Sequence, residues 1–240
     1  MVIDRYARQK KIIGNLGQDN LTKSSVLMIG CGGLGCPISL YLVASGVGHI
    51  TLIDDDVVSL TNLHRQVLFG EDDIGLKKVD VAKTKLNAIN SHVKVTAISS
   101  RLISDNAHRI IEGHDLVIIG CDNFDTRFLV SELCHLLSIN YINASVLGDE
   151  GAIAFYDNDN GCYQCSTGPR EELSIIPTPN DIGVLGAMVG VIGTLTATMA
   201  IEILTGNSDE YINKIFTFNS KALNVKSYSL EKNVNCHLCK

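Results

Sequence analysis

A glycine-rich stretch between a predicted strand and a predicted helix limits what this chain can fold into. The sequence Gly-Cys-Gly-Gly-Leu-Gly at residues 30–35 follows an apolar run at residues 26–30 and opens a segment of helical periodicity at residues 34–46. Residues 49–53 supply the next strand, which completes a βαβ unit. Glycines let the backbone approach phosphates, and N–H groups at a helix start point at the anion. The sequence therefore predicts nucleotide binding at Gly30, Gly32, Gly33 and Gly35, with a tight turn that binds nothing as the alternative.

The rest of the chain alternates between strand and helix patterns. Further strands are predicted at residues 93–99, 116–120 and 141–145, and further helices at residues 62–69, 76–90, 105–112 and 126–137. This alternation predicts an α/β fold with a Rossmann-like, doubly wound, mainly parallel sheet. Antiparallel strands are predicted to continue the sheet at residues 151–156, 214–219 and 223–230.

No linker or repeat divides the 240 residues, so they are predicted to form one domain. Residues 166–181 contain three of the four prolines and lack periodicity, which predicts a long surface loop.

Residues 182–201 are uncharged and long enough to span a bilayer. They are rich in Gly and Thr and lack flanking basic or aromatic clusters. We therefore predict a helix buried in the core or in a subunit interface, and no membrane partner.

Charge and cysteine content exclude several classes of protein. The formal net charge of -6 provides no overall positive field for nucleic acid or anionic lipid. The first residues lack the apolar segment of a secretory signal, so a cytoplasmic location is expected. Eight cysteines in a core-rich chain of this kind are better explained as thiols or metal ligands than as a disulfide framework.

Three acidic residues follow the second strand of the βαβ unit. Asp54 lies about 20 residues beyond Gly35, the spacing at which an acid meets ribose hydroxyls. Asp55 and Asp56 have a solvated acidic turn as their alternative, and Asp56 is kept as a candidate for the nucleotide site. These features alone would also suit a nicotinamide-binding protein.

The next segment favours phosphate chemistry over hydride transfer. Asn62, Arg65 and Gln66 share one face if residues 62–69 are helical. Such donors suit the oxygens of an adenylyl transition state, and hydride transfer needs no such clamp. Lys78 offers a point charge for phosphates, and Asp122, followed by Asn123, is placed for magnesium at the end of a parallel strand. A surface charge or a helix cap is the alternative for each.

Two CxxC pairs predict a metal site. Cys162 and Cys165 form one pair and Cys236 and Cys239 the other, at the spacing that lets two thiolates bind one tetrahedral ion. A structural zinc ion would pin the C-terminal segment to the middle of the chain. A redox CxxC is the alternative.

Together these motifs resemble the ThiF/MoeB/HesA-type adenylating enzymes, whose fold also occurs in ubiquitin-activating enzymes. The resemblance covers almost the whole chain. Its further marks are Arg-Tyr-Ala-Arg-Gln at residues 5–9, Gly-Leu-Lys-Lys at residues 75–78 and Gly-Val-Leu-Gly at residues 183–186.

The resemblance implies a role for each site residue. Asp54 would hold the ATP ribose. The phosphates would be held by Asn62, Arg65, Gln66 and Lys78, and magnesium by Asp122. Arg8 would reach into the ATP site of a neighbouring subunit, so that a homodimer, joined through residues 182–201, completes each site. Residues 1–24 would then form an N-terminal arm and helix, residues 25–146 the nucleotide-binding half, and residues 147–240 the half for acceptor binding, zinc and dimerisation.

The implied reaction is ATP-dependent adenylation of the C-terminal carboxylate of a small ubiquitin-like or sulfur-carrier protein. The products would be an acyl-adenylate and pyrophosphate. Adenylation of a ribosomal peptide, as in microcin-type maturation, is an alternative. An NAD-dependent oxidoreductase and a non-catalytic scaffold are the remaining hypotheses.

One departure from the family pattern concerns covalent capture of the acceptor. Sulfur-transferring relatives carry a cysteine shortly before Gly-Val-Leu-Gly, whereas residues 166–181 contain none and Pro179 stands at the matching position. We therefore expect no thioester on the enzyme itself. Cys31, Cys36 and Cys121 should be covered by the nucleotide, while the orientation of Cys134 stays open from sequence.

Overall fold

A computed structural model describes residues 4–170 and 179–239. Within these ranges the strands are β1 Ser25–Ile29, β2 His49–Ile53, β3 Lys94–Ile98, β4 Leu116–Ile119, β5 Asn140–Leu147, β6 Glu150–Tyr156, β7 Lys214–Asn219 and β8 Asn224–Ser229. The helices are α1 Lys10–Lys23, α2 Gly35–Ser45, α3 Lys78–Ile89, α4 Ser104–Ile111, α5 Phe124–Leu137, α6 Tyr163–Thr167, α7 Pro179–Ile182 and α8 Gly186–Leu204.

The described strands form one sheet in the order β3-β2-β1-β4-β5-β6-β7-β8. Pairing is parallel from β3 to β5 and antiparallel from β5 to β8. The chain first builds outward from β1 to β3 and then crosses to β4 on the other side of β1. This doubly wound order, with antiparallel strands at its end, confirms the predicted fold class.

Burial on both faces explains why the parallel strands have continuous apolar sequences. One core cluster packs α2, α3 and α8 against the sheet. A second cluster packs α4, α5 and α6 against the opposite face. Alternate residues of each strand enter different clusters: Leu27 and Ile29 enter the second, whereas Val26 and Met28 enter the first.

The register of the central strands makes their ends coincide. Ile29, the last residue of β1, pairs with Ile53 at the end of β2 and with Ile119 at the end of β4. The next residues continue the ladder, since Gly30 N donates to Ile53 O and Gly120 N donates to Ile29 O, each at 2.9 Å. The loops that follow the three strands therefore emerge side by side at the carboxyl edge of the sheet.

Helix α8 accounts for most of the uncharged run at residues 182–201. It is long and apolar enough to cross a bilayer by length and composition. In the described structure it packs against α2, β5 and β6, and a Cβ on Gly193 would lie 2.4 Å from Pro37 Cγ of α2. The predicted packing against the core is therefore confirmed. Val191 and Leu195, on the other side of the helix, stay 38% and 37% exposed in the single chain.

The predicted helix at residues 62–69 is wrong. The chain forms a short 3-10 turn at Leu60–Asn62 and then one helical turn, in which Asn62 O accepts from Gln66 N at 3.0 Å. Leu68 and Phe69 still enter the core, but the chain reaches it without a continuous helix: Gln66 is buried and Val67 is 66% exposed. Burial of Gln66 beside the glycine loop overrides the helical propensity.

The predicted surface loop at residues 166–181 is only partly described. Its first residues end helix α6, and its last three begin the short helix α7. Residues 166–167 and 179–181 are thus helical, where the sequence pattern predicted a loop. Residues 171–178 lie outside the described residues.

Candidate functional site

A cleft of about 1090 Å³ lies at the carboxyl edge of the sheet and extends over one face of β5 and β6. Most of the residues singled out from the sequence line it. These are Gly30, Gly32, Gly33, Asp54, Asp56, Asn62, Arg65, Gln66, Lys78, Asp122 and Asn123. Gly35 and Arg8 are not among its lining residues.

The first and last glycines of the loop have structural reasons to be glycine. Gly30 has a φ of +93°, which disfavours any residue with a Cβ. A Cβ on Gly35 would lie 2.0 Å from Gly30 O, so the start of α2 could not pack this closely against the end of β1. Gly35 thus positions the N-terminus of α2 without lining the cleft. The close turn leaves Gly32 and Gly33 at the cleft wall.

Asp54 ties the end of β2 to the glycine loop. Its Oδ2 accepts from Cys31 N at 2.7 Å and its Oδ1 accepts from Asp56 N at 2.8 Å. Burial raises the pKa of the Asp54 carboxyl, although the two N–H donors oppose this shift. A carboxylate offers about four lone-pair sites, so two of them stay available for ribose hydroxyls.

Lys78 is a buried cation that lines the cleft. It is 3% exposed, and its Nζ donates to Asp56 Oδ2 at 2.8 Å. Its backbone N also donates to Asp56 O at 3.1 Å. The Asp56 side chain is 67% exposed, so the ion pair has one buried and one solvated end. Asp56 therefore holds the start of α3, and with it the ammonium group, at the cleft.

Arg65 and Gln66 lie over the glycine loop. A Cβ on Gly33 would be 3.4 Å from Arg65 Cγ, and one on Gly32 would be 3.6 Å from Gln66 Nε2. The guanidinium Nη1 donates to Thr61 O at 3.2 Å and lies 2.8 Å from His64 Nε2. Gln66 is 3% exposed, yet its Oε1 has no hydrogen-bond partner among residues 4–170 and 179–239. The Arg65 guanidinium and the Gln66 Nε2 amide are donors that fit a phosphate held at the loop, whereas Gln66 Oε1 is an acceptor and is satisfied only by an N–H or O–H donor.

Asp122 and Asn123 follow β4 at the same edge. Asp122 is exposed, and its side chain makes no ion pair or hydrogen bond within the described part of the chain. Asn123 Oδ1 accepts from Thr126 N at 2.9 Å and so caps α5. The helix cap, which the sequence left open as the alternative for Asp122, is made by its neighbour Asn123. A carboxylate without a protein partner is the type of ligand that magnesium takes.

Arg127 is a cleft residue that the sequence analysis missed. It is 8% exposed and donates to Cys121 O through Nε at 3.1 Å and Nη2 at 2.8 Å. Its guanidinium carbon lies 5.6 Å from the centre of the Phe124 ring. Arg127 therefore fixes the turn that carries Asp122. A basic residue four positions after the helix cap was the available sequence signal.

Asn143 on β5 is a second residue that the sequence analysis missed. It lines the cleft and is 6% exposed, and its Oδ1 has no hydrogen-bond partner in the described ranges. An unsatisfied buried acceptor costs about 1–3 kcal/mol. A single Asn inside the apolar strand sequence Tyr-Ile-Asn-Ala was the signal that could have identified it.

Arg8 lies far from the cleft of its own chain. Tyr6 packs on Gly46 and its OH accepts from Asn90 Nδ2 at 2.7 Å, while Gln9 Nε2 donates to Ser45 O at 2.9 Å. These anchors are the C-terminal ends of α2 and α3, at the edge of the sheet opposite the cleft. The 11 residues of α2 alone span about 16 Å. Arg8 is exposed and cannot reach its own glycine loop.

The two CxxC pairs converge on one point. The four sulfur atoms lie within 4.8 Å of one another, with Sγ–Sγ distances of 3.8 Å for Cys162–Cys165, 3.5 Å for Cys162–Cys236 and 3.2 Å for Cys165–Cys239. Sulfurs bound at 2.3 Å to one tetrahedral zinc ion would lie about 3.8 Å apart. The geometry and the donor set therefore fit zinc.

Ionisation is unevenly distributed over this cluster. Against the effect of burial, backbone N–H groups of Cys239 and Leu238 lower the pKa of Cys236, whereas burial raises the pKa of Cys162 and of Cys239. Asn233 N donates to Cys165 Sγ at 3.3 Å. N–H donors of this kind stabilise the thiolates that bind zinc.

Comparison with known proteins identifies the family. The profile described as the ThiF family matches residues 6–238. This chain is 41% identical to the adenylyltransferase and sulfurtransferase MOCS3 of Culex quinquefasciatus over 241 residues, which cover 99% of this chain and 55% of that protein. It is 39% identical to the protein of that name from Aedes aegypti, with the same coverage. The chain spans about half the length of the curated relatives it matches.

Solved structures agree with this result. Escherichia coli MccB with ATP has a TM-score of 0.88 and 28% sequence identity, over 100% of this chain and 75% of that one. The same protein with MccA-N7isoASN has a TM-score of 0.88 and 27% identity, over 100% of this chain and 76% of that one.

We predict that the purified protein carries about one zinc ion per chain at the four-cysteine cluster. Cys239→Ser should lose the metal and unfold at a lower temperature, because metal binding contributes directly to folding. Metal analysis and thermal denaturation measure both effects. Cys121→Ser, at a thiol outside the cluster, should keep its zinc. A metal-free wild type with Cys162 and Cys165 joined as a disulfide under reducing conditions would contradict the assignment.

Proposed function

This chain belongs to the ThiF family, and on that premise we propose that it uses ATP to adenylate the C-terminal carboxylate of a small ubiquitin-like sulfur-carrier protein. The relatives named adenylyltransferase and sulfurtransferase support the adenylyl transfer over nearly the whole chain. The observation that carries the proposal is the set of donors around the glycine loop. The Arg65 side chain adjoins Gly33 and the Nε2 amide of the buried Gln66 adjoins Gly32, so both can donate to a phosphate held at the loop.

In the proposed reaction, a carboxylate oxygen of the acceptor attacks the α-phosphorus of ATP. The bond from that phosphorus to the oxygen bridging to the β-phosphate breaks, and pyrophosphate leaves with the electron pair. Negative charge then grows on the phosphate oxygens. Asn62, Arg65 and Gln66 would donate to these oxygens, and Lys78 would leave Asp56 to bind the phosphates.

Asp54 and Asp122 would act at the two ends of the nucleotide. Asp54 has lone-pair capacity for the ribose hydroxyls, since its two backbone bonds leave each oxygen able to accept once more. Asp122 would hold magnesium, which neutralises the charge on the phosphates. Arg127, through Cys121 O, keeps the turn before Asp122 in place.

A ribosomal peptide is the second candidate acceptor. The likeness to MccB, solved with ATP and with MccA, favours it. The identity of 28% to MccB is lower than the 41% to the first relative named above, so we favour a carrier protein. Neither match supports an NAD-dependent oxidoreductase, and the assembled cleft argues against a non-catalytic scaffold.

We propose that the active unit is a homodimer in which Arg8 completes the partner's site. The position of Arg8 supports this, because its anchors lie at the opposite edge of the sheet from its own cleft. Val191 and Leu195 on α8 offer partly exposed apolar surface for such an interface.

We also propose a cytoplasmic location, which fits the free thiols and a four-cysteine cluster that can bind zinc.

We further propose that the enzyme forms no thioester of its own. Cys31, Cys36 and Cys134 are at most 2% exposed. Burial raises the pKa of the Cys36 and Cys134 thiols to about 12, so the open question about Cys134 is answered by its burial. Cys121 is the cleft-lining cysteine of the described residues, and burial raises its pKa as well. Thiols held in the protonated form are weak nucleophiles.

The adenylation proposal predicts that Arg65→Ala and Asp122→Ala each lower the rate by about 10²–10³ with the fold intact. The measurement is exchange of labelled pyrophosphate into ATP, with carrier proteins ending in Gly-Gly and candidate peptides added one at a time. Arg109→Ala and Asp19→Ala, at exposed positions outside the cleft, serve as matched controls. Wild-type exchange rates in both site variants, with an active acceptor present, would show that the site is wrong.

The dimer proposal predicts complementation between two inactive variants. Arg8→Ala should be inactive yet dimeric, and mixing it with Arg65→Ala should restore about a quarter of wild-type exchange, since half the dimers gain one complete site. Mixing Arg65→Ala with Asp122→Ala should restore nothing, because both residues act in the same chain. Failure of the first mixture after proven subunit exchange would place Arg8 outside the site.

The third prediction concerns covalent intermediates. Enzyme, ATP, magnesium and an active acceptor, separated without reducing agent, should show bound acyl-adenylate and no acyl-enzyme by intact mass spectrometry. Cys121→Ser should behave like the wild type. A stoichiometric adduct that disappears in Cys121→Ser would instead identify that thiol as the acyl carrier.

A further inference from the structure

Asn143 interrupts an apolar row that crosses the sheet. Ile53, Ile29 and Ile119 pair across β2, β1 and β4, and the next partner of Ile119 is Asn143 on β5. Paired residues point to the same face, so the amide occupies a position that the three preceding strands fill with isoleucine. All three isoleucines belong to one core cluster. The amide is therefore a polar group in a row that is otherwise apolar from β2 to β4.

The amide of Asn143 is also without a partner. Within residues 4–170 and 179–239, the buried side-chain atoms that lack a hydrogen bond are Ser39 Oγ, Gln66 Oε1 and Asn143 Oδ1. Gln66 and Asn143 both line the cleft. Gln66 lies at the glycine loop, where the nucleotide is proposed to bind. In the part of the cleft that lies over β5 and β6, Asn143 Oδ1 is then the buried atom without a hydrogen-bond partner among the described residues.

The surface around Asn143 has room for a peptide backbone. Asn143 pairs with Ala154 on β6, and Ser145, two residues along the same face, pairs with Ala152. These four side chains line the cleft. Small side chains beside a buried amide leave the sheet face open to an extended main chain, whose N–H and C=O groups complement the amide.

The position of Asn143 separates it from the nucleotide. The residues assigned to the ribose and phosphates follow β2, β1 and β4, whereas β5 lies one strand further on, about 4.8 Å away. A ligand over β5 and β6 reaches the reacting centre from the side away from the ribose. In an adenylation reaction, that ligand is the C-terminal segment of the acceptor, which ends in the carboxylate that attacks the α-phosphorus.

We propose that Asn143 is a specificity-determining residue for the acceptor: its side-chain oxygen accepts the N–H of a peptide group within the last residues of the acceptor. This inference deepens the proposed function and rests on it. Asn143 contacts the substrate but not the reacting atoms. It selects acceptors whose C-terminal residues are small and keep a free backbone N–H, as glycine does and proline or an N-methylated residue does not.

The enzyme-side test compares Asn143→Ala and Asn143→Leu with Asn140→Ala, which lies at the start of the same strand outside the cleft. The probe is a ubiquitin-like sulfur-carrier protein ending in Gly-Gly. Both Asn143 variants should raise the KM for this carrier about tenfold, with kcat and the KM for ATP unchanged. Asn143→Leu should also raise Tm, because an aliphatic side chain fits the isoleucine row. A purely structural amide would give a lower Tm and an unchanged carrier KM.

The substrate-side test uses semisynthetic carriers with sarcosine, which lacks the backbone N–H, at each of the last three positions in turn. With the wild-type enzyme, one of these positions should raise KM about tenfold. With Asn143→Ala the same substitution should cause no additional rise. Equal sensitivity of both enzymes at every position would overturn the inference.

Failure of the proposed function and failure of the role of Asn143 give different experimental results. If no carrier protein or peptide supports pyrophosphate exchange by the wild-type enzyme, the proposed function fails and this inference fails with it. If the wild type is active but Asn143→Ala keeps the carrier KM within about twofold of wild type, the inference alone is overturned.

Discussion

The common end of three parallel strands is the constraint on which the rest of this structure depends. Because Ile29, Ile53 and Ile119 share one row, the residues that follow them emerge together, although the sequence separates them widely. The Asp54 carboxylate then joins two of these loops by accepting from Cys31 N. A shift of one strand by a single residue would turn its side chains to the other face and separate these loops. The formation of the cleft therefore depends first on the register of the strands and only then on the side chains that line it.

The sequence predicted the elements that are decided locally. Strands buried on both faces read as apolar runs, and β2 has the bounds that its pattern predicts. The helix at residues 62–69 failed because a tertiary contact, the burial of Gln66 beside Gly32, decides the local conformation. Propensity carries no information about such a contact. The division of the chain into functional halves stays a prediction, although one sheet runs through both.

The residues of the candidate site also divide into those that the sequence predicted and those that it did not. The glycine loop, Asp54, Lys78 and Asp122 could be found because each follows a recognisable strand or motif. Arg127 and Asn143 could not, since their meaning lies in what they touch or fail to touch once distant strands pair. The location of Arg8 required the anchoring of Tyr6 and Gln9 to the ends of α2 and α3, which no spacing in the sequence reveals. The sequence shows which residue stands at each position, but its hydrogen-bond partners depend on how distant strands pair.

The four-cysteine cluster has a consequence for the chain as a polymer. A metal ion there would act as a cross-link between residues 74 positions apart, closing a loop that contains α8, β7 and β8. Closing a flexible loop costs entropy that grows only logarithmically, so doubling the loop would add about 0.6 kcal/mol. Extra residues in the connections of this half would thus weaken the cross-link very little. Connections between Cys162 and Cys236 could therefore be lengthened while the two ends of this segment stay joined.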